Sequence, residues 1–202
     1  MQRRTLMLIP LVAAPWVTQA QPAASASAAA LPETVAAPLR AGGVVLAVRH
    51  ALAPGTFDPP GFRLDDCRSQ RNLDEQGRAQ ARRLGAMLRA AGLQPSRLRS
   101  SPWCRCRDTA TLAFGDAEMW DALGSPRGSD GGGRPPPDQT ARLRRGIADV
   151  ARAGRGFEAW ITDQFVLADL TGEATASGEG LVLTTDDGGR TVRVLARLLS
   201  PP

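Results

Sequence analysis

The chain has 202 residues, of which 43% are hydrophobic and 22% are charged, and its formal net charge is +5. That composition is typical of a globular protein, and the length suits a single α/β domain but not a second one. The arginines are scattered rather than gathered in a block, which argues against a nucleic-acid partner and favours a small anionic ligand.

The chain begins with the three parts of a secretion signal. Arg3 and Arg4 make a positively charged start, residues 5–17 form an apolar stretch, and Ala20 is a small residue at a suitable cleavage position. The apolar stretch is too short to span a membrane and contains prolines. We therefore predict a signal peptide over residues 1–20, no membrane span in the mature chain, and a periplasmic or secreted location. An uncleaved apolar tail or anchor is the alternative.

The predicted domain follows a tail of small residues and prolines. Residues 21–41 are predicted to be a disordered lead-in, and the domain itself to occupy residues 42–202. Its first element is the apolar run 43–48, which indicates a strand buried on both faces and so favours a parallel sheet. Arg49 and His50 come next, where open α/β sheets bind ligands. His50 is the chain's one histidine, and an arginine beside a histidine suits phosphate chemistry.

Two helices are predicted after this strand. Asp74 is a suitable N-cap for a helix that runs through Ala91 and ends at Gly92. Further on, a short strand and a Ser/Pro turn lead to a helix that opens near Arg105 and continues through Leu112. Free N–H groups at the start of that helix, together with the guanidinium of Arg105, predict an anion site.

The C-terminal half completes the predicted sheet. An amphipathic helix is expected over 138–152 and a buried strand over 158–162, followed by a turn and a short helix. The runs 181–185 and 191–195 flank an Asp-Gly-Gly turn and indicate a hairpin. Residues 124–137 have no periodicity and are expected to be a loop over the site or a surface excursion. The pattern predicts a three-layer α/β/α sandwich whose mostly parallel sheet carries a C-terminal antiparallel hairpin at its edge.

Three segments, in order, match the motifs of a known family. They are Val48-Arg49-His50, Arg71-Asn72-Leu73-Asp74-Glu75-Gln76-Gly77-Arg78-Ala79-Gln80-Ala81 and Ser100-Ser101-Pro102-Trp103-Cys104-Arg105-Cys106-Arg107-Asp108-Thr109-Ala110. On these motifs the chain resembles the histidine phosphatase superfamily, the phosphoglycerate mutase-like proteins, over residues 42–198. The resemblance implies a phosphoric monoester hydrolase that acts on a small phosphorylated molecule without cofactor or metal. Substrate identity and oligomeric state are not predicted.

The resemblance also assigns roles to individual residues. His50 is the nucleophile that becomes phosphorylated, Arg49 and Arg105 clamp the phosphoryl group, and Arg71 is a supplementary contact. The family's second histidine would follow the strand at 158–162, where this chain has Asp163. An ionised carboxylate about 4 Å from a phosphate costs roughly 4 kcal/mol at an effective dielectric of about 20, or about a thousandfold in binding. Protonation of Asp163, or its pairing with an arginine, would soften that cost.

The proton donor to the leaving group is a second departure from the family. Mutase-branch relatives carry a glutamate in a Leu-x-Glu stretch, whereas the nearest equivalent here reads Leu-Gly-Ser. Asp163 itself is one candidate donor. Four other acids lie nearby in sequence, although such acids are more often solvated or capping groups: Asp58, Asp116, Glu118 and Asp121.

Export would place the three cysteines in an oxidising compartment. Cys67 precedes the first predicted helix and Cys104 lies in the second motif loop, so a disulfide between them would brace the site. Cys106 is expected to be a buried free thiol. A zinc site is not indicated, because C-x-C without a further histidine or cysteine pair lacks ligands.

Two functions remain open at this point. One is a periplasmic or secreted phosphatase that works through a phosphohistidine at His50, with activity reduced by Asp163. Its partners would be a phosphorylated small molecule or inorganic phosphate. The other is a catalytically inactive pseudophosphatase that acts as an anion-binding or interaction protein in the cell envelope.

Overall fold

The computed structural model describes residues 30–125 and 137–199 of the chain. The predicted signal peptide and most of the predicted loop at 124–137 lie outside these residues. The described part contains six strands and five α-helices, in chain order α1 (Glu33–Ala41), β1 (Val44–Arg49), α2 (Glu75–Ala90), β2 (Arg97–Ser100), α3 (Cys104–Ala113), β3 (Glu118–Met119), α4 (Pro137–Ala153), β4 (Phe157–Thr162), α5 (Gln164–Thr171), β5 (Gly180–Thr184) and β6 (Arg193–Leu198). Short 3-10 helices at Cys67–Ser69 and Asp121–Leu123 complete it.

The six strands form one mixed sheet in the order β3-β2-β4-β1-β5-β6. The neighbours from β3 through β1 are parallel, whereas β5 runs antiparallel to β1, and β6 runs antiparallel to β5. The C-terminal hairpin therefore occupies one edge of the sheet, which confirms the predicted topology. Among the described residues no helix is both long enough and apolar enough to cross a membrane.

Strand β1 lies at the centre of the core and buries both of its faces. Leu46 and Val48 pack with apolar residues of α1, α2 and α3. Val45 and Ala47 point the other way and pack with apolar residues of α4 and α5. Because successive side chains of a strand alternate between faces, one apolar run supplies both layers of the core. The predicted three-layer α/β/α arrangement is confirmed.

Helix α1 corrects the prediction of a disordered lead-in over 21–41 for Glu33–Ala41, whereas residues 21–29 lie outside the described part of the chain. Its residues Val35, Ala36 and Leu39 are buried in the same core cluster as Leu46 of β1. These three residues are spaced to form one stripe along the helix, so packing against the sheet stabilises a segment that looked like a linker by composition. The folded domain therefore begins at or before Glu33 rather than at residue 42.

Helix α2 begins as predicted, because Asp74 caps it. The Oδ1 atom of Asp74 accepts a hydrogen bond from the backbone N–H of Gly77 at 2.7 Å. The helix ends at Ala90, one residue before the predicted end, and Gly92 follows with φ of 69°. That left-handed conformation favours glycine after a helix.

Candidate active site

The candidate site lies where three parallel strands end side by side. His50 follows β1, Arg105 lies in the first turn of α3 after β2, and Asp163 follows β4. The exposed fractions of these residues are 1%, 3% and 2%, so all three groups are buried. Carboxyl ends of parallel strands meet at one edge of a sheet, and this brings together residues that are far apart in sequence.

The loop after His50 is held by side chains of the motif segments. The backbone N–H of Ala51 donates to the hydroxyl of Thr109 at 3.0 Å, and the N–H of Leu52 donates to the side-chain oxygen of Gln80 at 2.9 Å. A Cβ atom at Gly77 would lie 1.9 Å from the carbonyl oxygen of Leu52, so only glycine permits this approach of α2. These motif residues therefore position the loop that follows the histidine.

The ring of His50 presents an unprotonated nitrogen to the site. Its Nδ1 atom lies 2.7 Å from the carbonyl oxygen of Ala51, which can only accept, so Nδ1 carries the hydrogen in the neutral ring. The Nε2 atom lies 3.3 Å from Oδ1 of Asp163 and 3.4 Å from Nη2 of Arg71. Burial lowers the pKa of His50, and this outweighs the opposite effect of Asp163. The imidazole is therefore neutral near pH 7, the form a nucleophile requires.

Asp163 is an ionised partner of Arg105. Its Oδ1 atom accepts from Nε of Arg105 at 3.0 Å and from Nη2 at 2.8 Å. Burial by itself would raise the pKa of Asp163, but the positive charge and the two hydrogen bonds of Arg105 hold it far below its ordinary range. The sequence offered two ways to reduce the cost of this carboxylate, protonation or pairing with an arginine. The structure shows the pairing. A group with so low a pKa is a poor proton donor, which argues against the predicted role of Asp163 as the acid.

Asp58 is a second carboxylate on the same arginine, and sequence reasoning gave it no special weight. Both of its oxygens lie 3.0 Å from Nη1 of Arg105. It also accepts from the indole N–H of Trp103 at 3.1 Å and from the backbone N–H of Arg71 at 2.9 Å. Asp58 lies in the loop after β1, where a carboxylate has no sequence signal that distinguishes it from a solvated acid.

The other three acids considered as proton donors lie elsewhere. Glu118 pairs with Arg97, Asp121 pairs with Arg142, and Asp116 is exposed. None of the three lines the cavity beside His50.

The three arginines assigned to phosphate binding are held in different ways. Every nitrogen of the Arg105 guanidinium donates to a carboxylate. Arg71 donates through Nη1 to the carbonyl oxygen of Ala53, and Arg49 donates through Nη1 to the carbonyl oxygen of Thr175 at 2.6 Å. Burial lowers the pKa of Arg49 and of Arg71, although both remain cations near pH 7. Arg71 and Arg49 therefore keep charges that no carboxylate bond neutralises.

A small cavity of about 40 Å³ opens beside His50. Its volume equals roughly three water molecules, which suits one small anion. Arg71, Arg105 and Asp163 line it with His50, but Arg49 does not. The full set of lining residues is His50, Thr56, Phe57, Asp58, Phe62, Arg71, Trp103, Arg105, Ser125, Asp163, Gln164 and Phe165.

A disulfide joins Cys67 to Cys104 beside this cavity, with a Cα–Cα distance of 5.7 Å. The bond ties the loop before α2 to the first residue of α3, directly ahead of Arg105. The backbone N–H of Cys104 also donates to the side-chain oxygen of Gln70 at 3.0 Å. Cys106 is a buried free thiol, and burial raises its pKa. Among the described residues, no cluster of three or more His, Cys, Asp or Glu side chains is placed to hold a metal ion.

Comparisons with known proteins agree with the three motifs. Residues 48–123 match the family model of the histidine phosphatase superfamily (branch 1). This segment contains His50, Asp58, Arg71 and Arg105. No curated protein matches the chain.

Several solved structures share the fold at low sequence identity. The protein histidine phosphatase SixA, solved with tungstate, has a TM-score of 0.53 at 17% identity, over 77% of this chain and 96% of its own. The product of an open reading frame of Mycobacterium tuberculosis has a TM-score of 0.56 at 16% identity, over 75% and 95%. A mycobacterial glucosyl-3-phosphoglycerate phosphatase has a TM-score of 0.50 at 15% identity, over 75% and 96%. The family model matches residues 48–123, and these solved structures show that the chain shares their fold.

Proposed function

We propose that this protein is a phosphoric monoester hydrolase that works through a phosphohistidine at His50, with activity reduced by the two carboxylates on Arg105. The observation that carries the proposal is the unprotonated Nε2 of His50, buried at the wall of a cavity that Arg71 and Arg105 also line. The structure of SixA with tungstate, a tetrahedral oxyanion, supports an oxyanion site in this fold. The proposed substrate is a small phosphorylated molecule.

The proposed reaction has two steps. In the first, Nε2 of His50 attacks phosphorus, and the bond from phosphorus to the ester oxygen breaks with its electron pair on that oxygen. In the second, water attacks the phosphohistidine, releases inorganic phosphate and restores the ring. The chain's part is to position the phosphoryl group and to balance its charge, which is most of what phosphoryl transfer requires. Arg71 supplies positive charge, whereas Asp58 and Asp163 offset that of Arg105.

The decisive test is turnover of an aryl phosphate by the wild-type protein and by His50→Ala. We expect His50→Ala to abolish turnover, and wild-type protein incubated with labelled substrate to hold a phosphoryl group that is stable in alkali and lost in acid. Turnover that survives His50→Ala contradicts the proposal. Asp163→His should raise the rate, because it removes a negative charge and releases Arg105 for the substrate. Asp108→His is the matched control, since Asp108 lies in α3 outside the cavity.

A second candidate is an inactive anion-binding or interaction protein of the cell envelope. The saturation of Arg105 by Asp58 and Asp163 favours it, because the arginine would have to exchange carboxylate bonds for phosphate. Under this alternative, phosphate or vanadate raises the melting temperature of the protein while no aryl phosphate is turned over.

We further propose a periplasmic or secreted location. The charged start and apolar stretch of residues 1–20 support it, and so does the disulfide, because disulfides persist in oxidising compartments. Cell fractionation with N-terminal sequencing tests it. A cytoplasmic protein that begins at Met1 contradicts it.

A further inference from the structure

Aromatic rings are concentrated around the cavity beside His50. The whole chain has five phenylalanines and four tryptophans. Three of those phenylalanines and one of those tryptophans line this one cavity: Phe57, Phe62, Phe165 and Trp103. In a chain with 4% aromatic residues, such a concentration is more than composition provides.

Two of these rings form an apolar wall that faces solvent. Phe57 comes from the loop after β1 and Phe165 from the first turn of α5, and their planes are parallel within 5° with centroids 6.5 Å apart. Phe57 is 47% exposed although it is a large apolar side chain. An exposed apolar surface at the rim of a binding cavity is a feature of ligand recognition.

The rest of the described cavity wall carries little free charge. Its neutral polar members are Thr56, Ser125 and Gln164. Its charged members are Asp58, Asp163, Arg71 and Arg105, and both carboxylates are bonded to the same arginine. Arg71 faces Nε2 of His50, so it serves the phosphoryl group. Among the described lining residues, no further cation is placed to bind a second phosphate or a carboxylate on the leaving group.

Neither carboxyl group among the described lining residues is placed to protonate the leaving group. Asp163 has a strongly lowered pKa, and Asp58 accepts from three N–H donors, which is the role of a carboxylate. An ester oxygen must then leave as an anion and take its proton from water. A phenol, with a pKa of about 10, leaves in this way far more easily than an alkyl alcohol, whose pKa is several units higher and close to that of water.

We propose that the substrates are small aryl phosphomonoesters, whose ring packs against Phe57 and Phe165 while the phosphoryl group lies at His50. The proposal rests on the proposed phosphohistidine chemistry and narrows its substrate class. In balanced form, His50 displaces a phenolate, and one water molecule then adds to the phosphorus of the phosphohistidine. This releases inorganic phosphate and the neutral ring, and the proton that the water gives up ends on the phenolate.

The first test compares esters at one protein. We expect kcat/KM to fall steeply as the pKa of the leaving group rises across substituted phenyl phosphates, and methyl phosphate to be turned over at least a hundredfold more slowly than 2-naphthyl phosphate. Similar rates for methyl and naphthyl esters overturn the proposal.

The second test uses Phe57→Ala. Ring packing of this kind is worth about three- to tenfold in affinity, so KM for 2-naphthyl phosphate should rise by that factor. Inhibition by vanadate, which occupies only the anion end, should not change. Phe57→Trp should restore the KM. Met119→Ala is the matched control, because Met119 is 45% exposed but lies in β3 away from the cavity. Equal weakening of vanadate and of naphthyl phosphate by Phe57→Ala overturns the proposal.

The two proposals fail in different ways. Absence of His50-dependent turnover overturns the phosphohistidine chemistry alone. In that case, calorimetric titration with 2-naphthyl phosphate and with methyl phosphate measures what the aromatic contact adds to binding. Tighter binding of 2-naphthyl phosphate than of methyl phosphate, lost in Phe57→Ala, still supports recognition of the ring. Equal binding of the two esters by the wild-type protein overturns it.

Discussion

The two sides of the cavity hold their arginines by opposite means. On the side next to β1, the cavity residue Arg71 donates to the carbonyl oxygen of Ala53, and Arg49, which does not line the cavity, donates to that of Thr175. On the α3 side, every nitrogen of Arg105 donates to Asp58 or Asp163. Carbonyl groups orient a guanidinium and leave its net charge in place, whereas carboxylates cancel it. The charge available to an anion therefore lies mainly on the β1 side.

This difference separates stability from ligand binding. Arg105 is buried with two carboxylates and is needed to keep both of them paired inside the protein. Arg71 is bonded to neutral oxygen and contacts Nε2 of His50, so its charge is directed to the site. The contrast predicts that Arg105 variants act mostly on folding and Arg71 variants mostly on anion affinity.

The largest expected effect is that of Arg105→Gln on stability. It leaves Asp58 and Asp163 buried without their cation, and breaking a buried ion pair in this way costs about 3–5 kcal/mol. Urea unfolding of the wild type, Arg105→Gln and Arg71→Gln measures this loss of unfolding free energy. Arg71→Gln is the matched control and should lower the free energy of unfolding by less than half as much. An equal loss of unfolding free energy in the two variants would show that the two arginines do not differ in their contribution to stability.

Loss of the disulfide should lower the free energy of unfolding almost as much as Arg105→Gln does. The disulfide joins the start of α3 to the loop before α2. Its two cysteines are 37 residues apart in sequence. Closure of a loop of that length restricts the unfolded chain by about 3–4 kcal/mol. Cys67→Ala combined with Cys104→Ala should lower the free energy of unfolding by that amount, whereas Cys106→Ala in the intact protein should leave the bridge in place. An unchanged unfolding midpoint in the double variant would contradict this.

Much of the fold was predictable because its signals are local. The apolar run of β1 and the glycine turn of the β5–β6 hairpin both lie within a few residues of the structure they specify. The cap at Asp74 is equally local, since it requires only the N–H of Gly77. Short-range geometry of this kind can be read from residue types and spacing alone.

The unpredicted parts depend on contacts between distant segments. Helix α1 is stabilised by packing on the sheet, and its composition resembles a linker. Asp58 bonds to Arg105 across 47 residues, and nothing near it in sequence indicates that contact. Arg49 and His50 are neighbours on a strand end, so their side chains point in different directions and only His50 lines the cavity. Strand β3 has two residues, too few for any periodicity.

A smaller effect is expected on anion affinity. Among the described lining residues, Arg71 is the arginine that is not bonded to a carboxylate, and Arg71→Gln removes it. A charge-assisted hydrogen bond is worth about 1.5–3 kcal/mol, so vanadate or phosphate should bind about ten- to a hundredfold more weakly. Calorimetric titration measures this. Arg78→Gln serves as the control, because Arg78 pairs with Glu75 on the surface of α2. Unchanged affinity in Arg71→Gln would place the anion's main contact elsewhere.

The smallest expected effect is on the pH profile. Because burial lowers the pKa of His50, the nucleophile stays neutral below pH 6.5, and kcat/KM should fall only as pH drops through that lowered pKa. Asp163 raises the pKa of His50, so Asp163→Asn should move this acid limb to still lower pH. Profiles of the wild type and Asp163→Asn on one aryl phosphate measure the shift. Since the protonated ring pairs with Asp163 at low pH, an acid limb that does not move in Asp163→Asn would mean that the carboxylate does not act on His50.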